Sequence, residues 1–204
     1  MKNTFFALAA FAFTAIISPA FAQNADKLNP GDALPAKDVK LKNTIGKDVT
    51  LASSMGKNGL VVMFSCNTCP FVIKNESMTK KTMQYASAHN VGMVIVNSNE
   101  AKRDGDDSYA EMTKYGMKQR YTVPYVADDN SKIADLFGAN HTPEVFLFDK
   151  TGKLVYKGAM NDNPSDPTGY KVMYINDAID AVVAGKEVTT KTTKSIGCSI
   201  KRKG

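Results

Sequence analysis

Short apolar runs alternate along the chain with polar, glycine-punctuated stretches, the rhythm of buried strands and half-buried helices. Leu60-Val61-Val62-Met63-Phe64 is continuously apolar, as a strand covered on both faces must be, and residues 91–96 repeat the pattern. Between these runs, residues 69–89 carry Phe71, Met78 and Tyr85 at heptad spacing, with Val72 and Met83 beside them, which predicts one long helix. Residues 107–119 predict another helix, capped by Asp107 or Ser108. A short strand follows over 123–126 and a short helix over 131–137, stopped by Gly138. Residues 144–149 and 153–158 form a hairpin pattern around Lys150-Thr151-Gly152, and a closing helix over 170–183 stops at Gly185. Upstream, residues 38–41 and 48–51 are two short strands joined through Gly46, behind a loop set by Pro30-Gly31 and Pro35. The order predicts a single α/β domain with a central mixed sheet flanked by helices. A β/α element is inserted before the strand at 144–149.

The two ends of the chain depart from this pattern. Residues 1–22 have the layout of a secretory signal: Lys2, an apolar run from Phe5 to Ile17, a break at Ser18-Pro19, and Ala20-Phe21-Ala22 before Gln23. The apolar run is short for a bilayer span, which favours cleavage, so a periplasmic or secreted protein with no membrane span after cleavage is expected. Residues 23–186 form the domain, and residues 187–204, rich in Thr and Lys, are expected to be a tail on the surface. The net charge of +6 falls by one when Lys2 is removed, and the charges are interspersed without a basic, aromatic-interleaved stripe. Nucleic-acid binding is therefore not expected.

Composition narrows the chemistry to few residues. The chain has no Trp, 2 His and 3 Cys, too few cysteines for a disulfide scaffold and too few histidines for a three-His metal site. Cys66-Asn67-Thr68-Cys69-Pro70 lies where the first buried strand gives way to a helix. Backbone N–H groups at a helix start favour negative charge, so a Cys66 thiolate is expected to be stabilised. Two intervening residues let Cys69 close a local disulfide with Cys66. Pro70 falls in the first turn, where its missing N–H breaks no helical bond. Cys66 is then the attacking thiol and Cys69, the more buried, the resolving one. No cofactor or metal is needed beyond that redox-active disulfide. A second landmark is His141-Thr142-Pro143-Glu144, where an X-Pro bond entering a strand suits cis geometry.

These two landmarks together resemble the thioredoxin-fold superfamily, closest to its redoxin branch of peroxiredoxin-like and cytochrome-maturation thioredoxins. Further matching segments are Pro30-Gly31-Asp32, Gly46-Lys47, the run from Thr142 to Asp149, and Gly152-Lys153-Leu154-Val155-Tyr156. The resemblance implies that Pro143 is a cis-proline facing the cysteines and that the Thr142 backbone pairs with an extended substrate peptide. It also implies that Glu144 assists proton transfer. Asn67 and Thr68 are counted with Thr142 as substrate-facing. Gly197-Cys198-Ser199-Ile200-Lys201 resembles the tail of a peroxiredoxin-like subgroup, making Cys198 an accessory thiol able to resolve a sulfenic acid or form a switch disulfide. The chain departs from thioredoxins in having Ser65 where they have Trp before the first Cys. It also lacks their buried acid on the strand 60–64, which leaves Glu144 or His141 as the proton acceptor for Cys69.

The expected function is exchange with protein thiols and disulfides, coupled to an upstream redox partner. Two alternatives stand beside it. One is a thiol peroxidase, although Cys66 and Met63 occupy the places where peroxiredoxins need Thr or Ser. The other is a copper-handling assembly protein using Cys66, Cys69 and His141 as soft ligands.

Overall fold

A computed structural model describes residues 28–203. The secretory-signal segment at 1–22 lies outside them. No described helix is long and apolar enough to cross a membrane.

The first apolar run becomes β2 (Gly59–Ser65), buried along its whole length, and the second becomes β3 (Gly92–Asn97). They pair in parallel, with Val62 opposite Val94 and Ser65 opposite Asn97. Parallel pairing requires a crossover, and the segment between them supplies it. That crossover is two helices, α1 (Pro70–Lys74) and α2 (Glu76–Ala88), and not the single helix predicted over 69–89. The break falls at Asn75, which is fully buried and turns its side-chain amide onto Phe71 O (2.9 Å) and Pro164 O (2.8 Å). Asn competes for backbone partners in this way.

The remaining strands extend the sheet on both sides in the order β1 (Lys42–Asn43), β4 (Tyr125–Ala127), β3, β2, β6 (Glu144–Asp149), β7 (Leu154–Gly158). β4 runs parallel to β3, and β1 lies antiparallel on its outer edge. The hairpin over 38–51 reduces to one bridge between Leu41 and Val49. β6 and β7 form the expected hairpin, and β6 also pairs antiparallel with β2. The sheet is therefore mixed. The inserted element comprises α3 (Tyr109–Gln119), β4 and α4 (Lys132–Phe137). Ser108 caps α3 by accepting Glu111 N–H, and Asp107 does other work.

Side-chain alternation along the strands divides the core in two. Val61, Met63, Ile95 and Leu147 face a layer that includes Met78, Met112, Ile175 and Ile179, from α2, α3 and α5 (Tyr174–Val183). Leu60, Val62, Phe64, Val94, Phe146 and Phe148 face Ile133 and Phe137 of α4 and the segment carrying Leu28, Leu34 and Leu51. This is a thioredoxin-like fold.

Residues 187–203 run over the surface of the domain and are held to it by backbone pairing. Thr193 N–H donates to Lys157 O at 3.0 Å, and the Thr193 hydroxyl accepts from Ala159 N at 3.0 Å. The close approach of this segment to β7 leaves no room for a Cβ at Gly158, whose φ is +137°. Further on, β8 (Cys198–Ser199) pairs antiparallel with β5 (His141–Thr142). Ile200 is buried, and Arg202 donates to Asp135 Oδ1 and Ala139 O, both at 2.7 Å.

Phe137 is fully buried and meets the rings of Phe64, Phe146 and Phe148 at 5.2–5.7 Å, mostly edge to face. Phe137→Ala should therefore lower unfolding free energy by about 3–5 kcal/mol in a denaturant titration, whereas Leu136→Ala, half exposed on the same helix, should cost under about 1 kcal/mol. Similar losses for both would show that the aromatic cluster does not hold α4.

Candidate active site

At the end of β2 the chain leaves the sheet edge and turns through Asn67 and Thr68 into α1. Cys69 occupies the N-cap position in extended conformation, with Pro70 opening the helix. The cysteine-spaced segment thus sits at the strand-to-helix junction, as the spacing predicts. Across from it, the Thr142–Pro143 peptide bond is cis. Cys66 Sγ lies 3.6 Å from the Thr142 hydroxyl, and Cys69 Sγ lies 3.4 Å from the Thr142 carbonyl oxygen. One residue of the proline loop therefore touches both sulfurs.

The sulfur pairing differs from expectation. Cys69 is disulfide-bonded to Cys198, 129 residues away, with their Cα atoms 6.1 Å apart, and Cys66 is a free thiol. A local Cys66–Cys69 bond is not the one formed. Cys198 reaches Cys69 because β8 lies along β5 with Cys198 opposite Thr142. The order of burial is also reversed: Cys66 is 1% exposed and Cys69 5%. All three cysteines line one small cleft of about 160 Å³, together with Lys102 and Lys201.

Burial decides the electrostatics of Cys66. Loss of solvent pushes its thiol above the ordinary value, and the nearby Asp107 carboxylate pushes in the same direction. The Thr142 hydroxyl and the Cys69 and Thr68 backbone pull the other way. The expected stabilisation of a thiolate by the helix start is present but is outweighed. A helix terminus is worth about 0.3–1 kcal/mol when exposed, while desolvation of a buried group reaches several pKa units at about 1.4 kcal/mol each.

Asp107 is the site residue that sequence reasoning missed. Its carboxylate is fully buried, accepting Asn67 N–H at 2.9 Å and the Asn97 amide at 2.7 Å on one oxygen, and the Asn99 amide at 3.0 Å on the other. Tyr125 OH donates to Asn67 Oδ1 at 2.7 Å and accepts from Asn97 at 3.0 Å. A buried acid therefore faces the cysteines from the loop before α3, not from strand 60–64. The available signal was the pair Asn97 and Asn99, two amides at the end of a buried strand that need an acceptor.

The other expected site residues divide between two roles. Thr68 and Pro70 are exposed beside the cysteines. Asn67 turns inward, its amide donating to Asp106 O and its Oδ1 accepting from Tyr125, and little of it is exposed. Pro143 is buried and Thr142 is in contact with both sulfurs. The Glu144 carboxylate accepts the backbone N–H groups of Asn140 (2.9 Å) and His141 (3.1 Å), closing the loop that carries Thr142. His141 Nδ1 lies 3.0 Å from Ser195 Oγ, on the tail and not on a sulfur. His89, away from the cysteines at the end of α2, stacks on Tyr85 at 4.2 Å. Among the described residues no three Cys, His, Asp or Glu side chains converge as a metal site.

Residues 29–173 match the family model described as Redoxin. The chain is 34% identical to an uncharacterized conserved protein from Geobacillus kaustophilus, with a TM-score of 0.78, covering 86% of this chain and 93% of that one. A hypothetical protein from Sinorhizobium meliloti is 30% identical, with a TM-score of 0.77, covering 88% of this chain and 97% of the other. A peroxidoxin from Mycobacterium tuberculosis is 14% identical, with a TM-score of 0.54 and coverage of 77% and 95%, a likeness of fold. No curated protein matches the chain.

Because the thiolate of Cys66 is suppressed by burial and by Asp107, its absorbance should appear on titration only above the ordinary thiol range. Asp107→Asn should move that midpoint down while costing about 1–3 kcal/mol of stability, since three amides lose a charged acceptor. An unchanged midpoint in the variant would remove Asp107 from the electrostatics of the site.

Proposed function

Since the chain belongs to the redoxin family, we propose that it is an exported thiol–disulfide oxidoreductase acting on protein thiols and disulfides. The observation that carries this reading is a disulfide and a free thiol held together against one cis-proline loop: Cys69 bonded to Cys198, with Cys66 beside them on Thr142. An inert structural disulfide would not need a third, buried thiol at the same loop.

The reaction starts with Cys66 and Cys69 both reduced. Cys66 loses a proton and attacks a substrate disulfide, forming a mixed disulfide and releasing one substrate thiolate. Cys69 then attacks the Cys66 sulfur, releases the second thiolate and leaves a two-electron-oxidised Cys66–Cys69 pair. An upstream dithiol restores the reduced state, and the same steps in reverse oxidise a substrate dithiol. Thr142 holds the sulfurs in place, and the exposed Thr68 and Pro70 form the rim a substrate meets. Glu144 contributes by shaping the loop. In the disulfide state described above, Asp107 opposes a Cys66 thiolate, which slows attack by this thiol without preventing it.

A second reading is favoured by one observation. Cys69 is linked to a distant cysteine, the product expected if a Cys69 sulfenate, formed by peroxide with release of water or alcohol, condenses with Cys198 and expels water. That thiol-peroxidase reading requires stoichiometric peroxide consumption by the reduced protein.

The discriminating experiment measures both reactions on the same preparation. Cys66→Ser should reduce protein-disulfide reduction by at least about a hundredfold while leaving any peroxide consumption by Cys69 and Cys198 in place. Equal protein-disulfide reduction by parent and variant would sink the oxidoreductase reading. Export is supported by the signal layout of residues 1–22. The protein recovered from a periplasmic or culture fraction should begin at Gln23, and recovery of chains beginning at Met1 from the cytosol alone would exclude it.

A further inference from the structure

We propose that residues 194–199 are a built-in peptide occupant of the site, a strap on the β5 edge tethered by the Cys69–Cys198 disulfide. The Cys66 thiol releases the strap by exchange, and an extended, cysteine-bearing segment of a protein substrate then takes the same edge. The proposal rests on the dithiol reading above and extends it to substrate access.

The strap is placed as a bound peptide would be. Ser199 stands opposite His141 and Cys198 opposite Thr142 in antiparallel register, with Cys198 joined to an active-site sulfur. The residue before Cys198 is pressed against the proline loop. A Cβ on Gly197 would overlap the Thr142 carbonyl and crowd Pro143 N, so the edge accepts glycine there. Past Cys198 the chain dives inward, with Ile200 buried and Ile200 N–H donating to Asn140 O at 3.0 Å. Lys201 is held through both backbone groups, its N–H by Asn99 Oδ1 at 2.8 Å and its carbonyl by Ala101 N–H at 2.9 Å. At the other end Thr193 is fixed on β7.

Between these anchors the hold is light. Ile196 is 38% exposed, Ser199 is exposed, and beyond the two-residue β8 pairing the main tether is the disulfide and the His141–Ser195 contact. Residues 194–199 can therefore bow outward between Thr193 and Ile200 once the sulfur link is cut. With the strap down, Cys66 is 1% exposed and lines the same small cleft as Cys198.

The releasing step needs no external oxidant or reductant. Cys66 gives up a proton, and its thiolate attacks Cys69 Sγ. The Cys66–Cys69 bond forms, the Cys69–Cys198 bond breaks, and Cys198 leaves as a thiolate that takes up a proton. Lys102 and Lys201 line the cleft into which that charge is released. The oxidised Cys66–Cys69 pair can then accept electrons from a substrate dithiol lying where the strap lay.

The test uses the full oxidised protein and a synthetic peptide of residues 195–200, Ser-Ile-Gly-Cys-Ser-Ile, with its cysteine reduced. A tethered strand competes at an effective concentration on the order of millimolar, so probe at about 0.1 mM should form mixed disulfide roughly tenfold faster once the strap is displaced. Gly197→Val displaces the strap while keeping all three cysteines. It should show that gain and shift the disulfide map from Cys69–Cys198 towards Cys66–Cys69. A probe with valine in place of its glycine should lose the gain. If Gly197→Val does not fold, Cys198→Ser cuts the tether instead, and the gain is then read from the rates of the two probes alone. A parental rate with a parental map, or equal reaction of both probes, overturns the strap. Failure of the underlying dithiol reading is separately visible as protein-disulfide reduction that survives Cys66→Ser.

Discussion

Everything at this site depends on where Thr142 is held. Its hydroxyl meets Cys66, its carbonyl meets Cys69, and its backbone edge carries Cys198, so a single residue sets the mutual position of three sulfurs drawn from distant parts of the chain. The position is over-determined from several sides. Pro143 fixes the following φ. Glu144 ties down the two amides before Thr142. β6 is locked by its pairing with the central, fully buried β2. A loop supported only by its own turn would let three sulfurs drift apart, and disulfide exchange requires them within bonding reach.

The second constraint is charge inside a dry core. Asp107 is enclosed by amide donors from Asn67, Asn97 and Asn99, a set that satisfies the carboxylate without a cation. Such a charge raises the cost of a second anion nearby, and a Cys66 thiolate would be that second anion. The helix start beside Cys69 opposes the effect weakly, because α1 is only five residues long and is interrupted at Asn75. A thiol held protonated does not exchange at random, since the thiolate is the nucleophile. The polar network and the buried cysteine thus belong to one electrostatic arrangement, in which reactivity depends on a change in the surroundings of Cys66.

Much of this was legible from periodicity. Continuous apolar runs identified β2 and β3, the Lys150-Thr151-Gly152 turn identified the β6–β7 hairpin, and the junction of strand, CxxC spacing and Pro70 located the site. What escaped has physical causes. Asn75 interrupts a heptad pattern without Gly or Pro, because its break arises from side-chain bonds to Phe71 and Pro164 that depend on the folded environment. The run Asp104-Gly105-Asp106-Asp107 reads as a helix start; the buried member is told from its exposed neighbours by Asn67, Asn97 and Asn99, which lie elsewhere in the chain. The Cys69–Cys198 bond spans 129 residues, and spacing alone favours the local partner. Only the course of the tail along β5 makes the distant one available.

That course also changes what the third cysteine means. A thiol in a loose tail would meet the site occasionally, at the effective concentration of a flexible linker. Cys198 is instead carried on a two-residue strand, between anchors at Thr193 and Ile200 and behind a glycine that lets two backbones touch. Its approach is paid for during folding, so pairing with Cys69 needs little further ordering. The same anchors limit how far the segment can move, which makes its release local and reversible. Under the proposed strap, a substrate strand would compete with a resident strand already in register, and the closeness of Gly197 to Thr142 would favour extended segments with a small residue before the cysteine.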